Sequence, residues 1–114
     1  MKIIKEKISI AELNEMAQRM YGNLVKAVVD IRLEIMAVDA ELHSDEEAAL
    51  LDNGSRQEDL WGINIYPVLD RNGPDFIEFD SLINLRPSQN NRSRGVEDPA
   101  VREKITAIVK KLVA

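Results

Sequence analysis

The sequence predicts an α+β protein: a mainly antiparallel sheet of about four strands, with two main helices on one face and a short third helix. Two segments combine a helix-start signal with apolar residues at helical spacing. Other segments alternate apolar and polar residues, as half-buried strands do. The length of 114 residues suits a single globular domain over residues 1–114.

The first helix is the best-specified local element, and it follows a short predicted strand over residues 2–5. Ser9 suits the N-cap position, and Glu12, three residues later, completes a capping box. Gly22 can end the helix. The apolar face of this helix is formed by Leu13, Met16, Ala17 and Met20.

Residues 24–42 fit both a strand and a helix. A strand is indicated by apolar residues at alternate positions from Val25 to Ile35, whereas a helix is indicated by Leu24, Val28, Ile31, Ile35, Val38 and Leu42. Because β-branched residues are frequent here, we predict a strand, bent near Asp39.

The next segments predict a short helix and a hairpin. Ser44 is a helix-start signal, and three acidic residues follow it in the first turn, where the helix dipole favours them. Strands are predicted over residues 60–66 and 76–85, on either side of a turn at 70–74. In the second strand, the predicted core-facing residues are Ile77, Phe79, Ser81, Ile83 and Leu85.

The last predicted helix follows a loop that contains no large apolar residue. Asp98 suits its N-cap position and Pro99 its first helical position. Its apolar stripe is formed by Val101, Ile105, Ile108, Val109 and Leu112.

The composition excludes several kinds of site. The chain has no cysteine, which removes disulfide scaffolds, zinc fingers, iron–sulfur clusters and thiol nucleophiles. One histidine cannot form a site of several imidazoles. The P-loop and dinucleotide-binding motifs are absent. We therefore expect no metal and no cofactor.

Charge and hydropathy bear on partners and location. Twenty acidic and 15 basic residues give a net charge of −5, so binding to nucleic acid or to an anionic membrane is not the default expectation. No stretch is apolar enough for a signal peptide or a membrane span. We expect a cytoplasmic protein with no membrane association.

Three segments carry a resemblance to a known family: ELHSDEE at 41–47, LWGINIYP at 60–67, and IEFDSLINLRP at 77–87 running into NRSR at 91–94. Together they resemble a family of small prokaryotic proteins classified as a domain of unknown function. The resemblance spans nearly the whole chain and implies no activity, cofactor or partner. The family often has a glycine pair where this chain has Asp39 and Ala40. A glycine pair suits a break between two extended segments.

The first candidate site is the loop over residues 86–94, which has three arginines and no acid. Guanidinium groups bind phosphate or carboxylate, and amide and hydroxyl side chains can complete such a site. The alternative is that the arginines pair with nearby acids and fasten the loop. No aromatic residue interleaves them, so no base-stacking platform is encoded. The candidate binding residues are Arg86, Ser88, Asn90, Asn91, Arg92, Ser93 and Arg94.

Three further residues each have a functional and a structural interpretation. His43, beside acidic residues, could be a general base or metal ligand, or a surface residue before a helix. Trp61 could line a pocket or anchor the core. Asp80, on the polar side of its strand, could face the arginine loop or pair across the sheet.

Three functions remain open. The favoured one is a small non-enzymatic binding module that uses the 86–94 loop to hold an anionic ligand or protein partner. The second is a small phosphodiester hydrolase or nuclease, with His43 as base and Arg92 or Arg94 stabilising charge. The third is a structural or oligomeric protein, for example a homodimer in which acidic and arginine-rich segments meet.

Overall fold

A five-stranded antiparallel sheet forms the centre of the protein, in a computed structural model that describes residues 1–114. The strands lie in the order β1-β3-β2-β4-β5. Their bounds are β1 Lys2–Ile4, β2 Val25–Asp30, β3 Ile35–Val38, β4 Leu60–Ile65 and β5 Ile77–Glu78; the helices are α1 Ile10–Met20, α2 His43–Asp52 and α3 Pro99–Leu112. The predicted α+β class is confirmed, with five strands where about four were expected.

The single strand predicted over residues 24–42 is wrong, because this segment forms two antiparallel strands, β2 and β3, with a tight turn between them. β2 pairs with β3 from Ala27 opposite Val38 to Asp30 opposite Ile35. The chain turns after Asp30 because the Oδ1 of this side chain accepts hydrogen bonds from the backbone N–H groups of Arg32 and Leu33, two and three residues later.

The break expected at Asp39 is also present. Asp39 has a φ of 69°, in the left-handed region that favours glycine. Glycine would adopt this conformation with less strain than aspartate.

The two faces of the sheet have separate cores. Residues of α1 and α3 pack with Val25, Ala27 and Val29 in a cluster of 20 buried apolar residues. Val28 points to the other face, where it packs with Leu50 of α2. The two main helices therefore share one face, as predicted, and α2 covers part of the opposite face.

The predicted strand over residues 76–85 is wrong beyond Glu78. Ser81 instead caps a 3₁₀ turn, Leu82–Asn84, by accepting a hydrogen bond from the N–H of Ile83. Phe76 is buried in the main core, whereas Leu85, which was predicted to face it, is exposed. The extended pattern ends because Asn84 turns inward and bonds to β4.

The helix ends follow the predicted signals in two of three cases. Ser9 and Asp98 accept hydrogen bonds from the N–H groups of Glu12 and Ala100, as N-caps do. The third helix-start signal, Ser44, lies two residues too late, because α2 begins at His43 and has Leu42 as its N-cap. No helix combines the length and the apolar character that crossing a membrane requires.

Candidate functional site

A small cleft lies where the start of α2 meets the segment after β5. Its volume is about 210 Å³. We call it the cationic cleft, because Lys26 of β2 and Arg94 both line it. Its other lining residues are Leu42, His43, Ser44, Ser81, Leu82 and Ile83.

His43 is a buried and hydrogen-bonded side chain of the cationic cleft. It is only 8% exposed, and its Nε2 lies 2.7 Å from the carbonyl oxygen of Ile63 in β4. A carbonyl oxygen only accepts, so Nε2 carries the proton and donates. The other ring nitrogen, Nδ1, therefore has a free lone pair and no hydrogen-bond partner within the protein.

Burial is the main reason that the pKa of His43 lies below its ordinary value of 6.5. The charged imidazolium loses hydration inside the protein, and the hydrogen bond to Ile63 only partly compensates. Lys26 and Arg94 lower the pKa further, whereas Asp80 raises it. His43 is thus a neutral imidazole at pH 7.

The first turn of α2 leaves backbone donors free at the cleft. Leu42 has no side-chain group that could accept a hydrogen bond. Asp45 and Glu46 donate their N–H groups to the Leu42 carbonyl, but those of His43 and Ser44 have no acceptor within the protein. Free N–H groups at the positive end of a helix dipole attract anions.

The two cations of the cleft differ in their partners. Arg94 donates from Nε to the Oδ1 of Asp80 at 2.7 Å, and both side chains are about half exposed. Its two Nη groups donate to no protein atom and are free for a ligand. Lys26 lies with its Nζ 5.1 Å from the ring centre of Tyr21 and forms no ion pair.

A side-chain clamp holds one wall of the cleft against the sheet. Asn84 bonds to both backbone groups of Gly62 in β4, at 2.9 and 3.0 Å. Its Nδ2 also donates to the carbonyl of Arg94, which accepts a second hydrogen bond from the N–H of Ser81. The wall can approach this closely only because residue 62 is glycine: a Cβ there would lie 2.5 Å from the side chain of Ser81.

Most of the predicted 86–94 loop lies outside the cationic cleft, and Arg86 is turned into the protein. The Arg86 guanidinium donates to the carbonyls of Ile83, Gln57 and Leu60. It also donates to the Oε1 of Gln89 and stacks 4.3 Å from the ring centre of Trp61. Burial lowers the pKa of Arg86, and few of its donors remain for a ligand.

Asn91 is buried and organises the loop. Its Nδ2 donates to the carbonyls of Asn84, Ser93 and Gly95, and its Oδ1 accepts from the N–H of Glu97. These contacts consume the hydrogen-bonding capacity of the amide and fasten the loop to itself.

The other loop residues are exposed and do not converge on the cleft. Arg92, Ser88, Asn90 and Ser93 are all exposed. The Ser93 hydroxyl accepts from the N–H of Gly95, and Asn90 adopts a left-handed conformation with φ 59°. Of the seven predicted binding residues, only Arg94 lines the cationic cleft.

The two predicted pocket residues lie in different places. Asp80 is the partner of Arg94 beside the cationic cleft. Trp61 is buried in the main core and lines a separate cleft of about 470 Å³ with Asn90, Asn91 and three acidic residues, Glu58, Glu97 and Asp98. That cleft has the charge of a cation site, but no group of three or more potential metal ligands converges in the protein.

Sequence patterns did not single out Lys26, Ser44 or Ser81 as site residues. Lys26 is one of two charged residues in β2, and its sequence position does not show which other residues lie beside it. Ser44 was interpreted as a helix start and Ser81 as a core-facing strand residue. The cleft combines positions from four separate parts of the chain, so local spacing could not reveal it.

The comparisons with known proteins identify a family and no activity. The family model described as "Protein of unknown function (DUF5674)" matches residues 2–112. No curated protein and no solved structure shows significant similarity to the chain.

Proposed function

Since the chain belongs to the DUF5674 family, whose description assigns no activity, we propose its function from the site: it is a binding module that holds an anionic group in the cationic cleft. The observation that carries this proposal is the convergence of Lys26, Arg94 and the free N–H groups of α2 around a buried histidine.

The charge of the cleft contrasts with that of the whole protein. The chain carries a net charge of −5, yet the charged side chains that line the cleft are both cationic. Asp80 neutralises part of this charge through Arg94, so an incoming anion competes with Asp80 or uses the free Nη groups. Charge-assisted hydrogen bonds to guanidinium and helix N–H groups favour phosphate, sulfate and carboxylate.

The size of the cleft limits what it can enclose. Its volume of about 210 Å³ is below the ~300–1,000 Å³ that is common for pockets of drug-sized ligands. The cleft therefore takes one anionic group, with the rest of a larger ligand remaining outside.

The proposal keeps the function that the sequence favoured and changes the location of the site. Arg94 is the member of the 86–94 loop that contributes, and the other ligand-binding groups come from β2, from α2 and from the turn at Ser81. Arg86 and Asn91 support the loop from within.

Amide NMR with inorganic phosphate tests the proposal directly. We expect saturable shifts at residues 26, 43–44, 81 and 94, and none confined to residues 88–92. Arg94→Ala should weaken binding about tenfold or more, because a charge-assisted hydrogen bond is lost. Arg92→Ala is the matched control, since Arg92 is an exposed arginine of the same loop outside the cleft.

Two results would contradict this assignment. One is the absence of saturable shifts at millimolar phosphate in a folded protein. The other is equal loss of binding in Arg92→Ala and Arg94→Ala, which would indicate a diffuse electrostatic effect.

A second candidate function, hydrolysis of a phosphate ester, is favoured by the orientation of His43. Its Nε2 is held by Ile63, so Nδ1 is free to accept a proton from water or a ligand hydroxyl beside two cations. Turnover of bis(p-nitrophenyl) phosphate that is lost in His43→Gln would support this reaction. Phosphate binding without any turnover would leave the binding module as the function.

A further inference from the structure

We propose that the anionic ligand carries an apolar group directly beside its charge, and that Leu42 and Leu82 hold this group at the mouth of the cationic cleft. This inference rests on the proposed function and specifies its ligand class. It is carried by the exposure and placement of the two leucines, independently of the charges that suggest an anion.

Both leucines line the cleft and are largely exposed. Leu42 is 53% exposed and Leu82 is 66% exposed. They come from separate elements, the start of α2 and the 3₁₀ turn after Ser81, so the cleft has an apolar residue on each of its two walls. Isolated exposed leucines are ordinary, but two of them beside a polar cleft are typical of a ligand site with an apolar portion.

The position of Leu42 strengthens this interpretation. Leu42 is the N-cap of α2, a position where Ser, Thr, Asp or Asn would bond to the free N–H groups, and where leucine is among the poorer residues. Leucine here leaves the helix donors open and also exposes an apolar side chain beside them. Both consequences serve one ligand: an anion for the N–H groups and an apolar group for the side chain.

Leu82 is held in place by the same clamp that forms the cleft wall. Its turn begins at Ser81 and ends at Asn84, which bonds to Gly62 and to the carbonyl of Arg94. The exposed leucine is therefore presented by a fixed backbone next to Arg94. An apolar group can pack against a preformed surface with little cost for ordering the protein.

Paired ligands that differ only in the apolar group test this inference. Calorimetry would compare methyl phosphate with phenyl phosphate, and acetate with 4-methylpentanoate, at one salt concentration and at one weakly alkaline pH, where both phosphate esters are dianions. We expect each apolar ligand to bind about fivefold or more tightly than its simple partner, from the buried carbon surface. Comparison of the two pairs distinguishes a phosphate ligand from a carboxylate ligand, because ligands with the preferred anionic group should bind more tightly than those of the other pair.

The protein variants assign the effect to the two leucines. Leu82→Ala and Leu42→Ala should each reduce the advantage of the apolar ligand while leaving the affinity for inorganic phosphate within about twofold. Leu85→Ala is the matched control, since Leu85 is an exposed leucine of the same segment that does not line the cleft. Because all three side chains are exposed, the variants should fold.

The possible outcomes separate the two proposals. Phosphate binding with no advantage for phenyl phosphate, and the same for the carboxylate pair, overturns this inference and leaves the proposed function standing. An advantage that survives in the Leu42→Ala/Leu82→Ala double variant also overturns it. Binding of no anion at all overturns the proposed function and the inference together.

Discussion

Asn84 bonds to both backbone groups of Gly62: its Oδ1 accepts from the N–H at 2.9 Å, and its Nδ2 donates to the carbonyl oxygen at 3.0 Å. A side-chain amide has the same donor and acceptor as a peptide unit, so Asn84 takes the place of a strand partner. It does so where β5 has ended, since β5 pairs only with Asn64 and Ile65. The same amide fixes the cleft wall, so sheet edge and candidate site depend on one residue.

Asn84→Ala should destabilise the protein by about 2–4 kcal/mol. The substitution leaves the buried N–H and carbonyl of Gly62 without their partner, and each unsatisfied group costs about 1–3 kcal/mol. Urea unfolding would measure the loss. Asn23→Ala, at an exposed asparagine without side-chain hydrogen bonds, should change stability by less than about 0.5 kcal/mol. Equal effects of the two changes would show that the clamp contributes nothing.

Arg86→Lys should also lower stability, by about 1–3 kcal/mol, without weakening phosphate binding. The planar guanidinium reaches the carbonyls of Ile83, Gln57 and Leu60 and stacks on Trp61, whereas an ammonium group cannot satisfy all of these contacts. Urea unfolding followed by tryptophan fluorescence would measure the loss of stability. The only tryptophan is Trp61, so its fluorescence also reports on the contact with Arg86.

The control for Arg86 is Arg92→Ala, since the Arg92 side chain is exposed. It should be nearly neutral for both stability and binding. If Arg86→Lys instead keeps full stability and loses phosphate binding, the 86–94 loop is the site and Arg86 is one of its ligands.

The elements that the sequence predicted correctly are those that local contacts determine. The helix start at Ser9 depends on a residue three positions away, and that at Asp98 on one two positions away. The pairing of β4 with β5 follows from alternation on both sides of a turn. Such contacts lie within the few residues that a local pattern covers.

The errors occur where a distant partner decides the local structure. Asn84 leaves the strand conformation because its side chain bonds to Gly62, which lies 22 residues earlier in the chain. The structural role that the sequence suggests for His43 is that of a surface residue. The side chain is instead buried, with its Nε2 beside the carbonyl oxygen of Ile63. Glu46 lies in the first turn of α2, as predicted, but its full burial is not indicated by the local sequence. Helical spacing puts His43, Glu46 and Leu50 on one face, but only the tertiary fold turns that face toward the sheet.

Glu46→Gln should stabilise the protein increasingly as the pH rises. Burial raises the pKa of Glu46 to about 9, although the hydrogen bond from the N–H of Ala40 opposes this. Among the nearby charges, Lys26 and the N-terminus lower the pKa and Asp39 raises it. Between the ordinary pKa of 4.5 and about 9, the folded protein keeps a proton that the unfolded chain has lost. Stability therefore falls with rising pH over this window, by at most about 1.4 kcal/mol per pH unit.

Urea unfolding at several pH values would measure this dependence. The stability difference between Glu46→Gln and the native protein should grow steadily from weakly acidic to weakly alkaline pH, because glutamine does not titrate. The exposed Glu15→Gln is the control and should give a constant difference. A constant difference for Glu46→Gln as well would show that Glu46 is ionised in the folded protein.

Sulfate binding should become tighter as the pH falls, through His43. Burial holds the pKa of His43 below 6.5 in the free protein, and a bound dianion in the same cleft raises it, so binding takes up a proton. Sulfate stays a dianion across this range, and we expect its affinity to rise about three- to tenfold between about pH 7.5 and pH 5.5.

Calorimetry in two buffers of different ionisation enthalpy would count the protons taken up when sulfate binds. His43→Gln, which can still donate to Ile63, should bind sulfate with a flat pH profile, and an unchanged slope in this variant would place the anion away from the histidine.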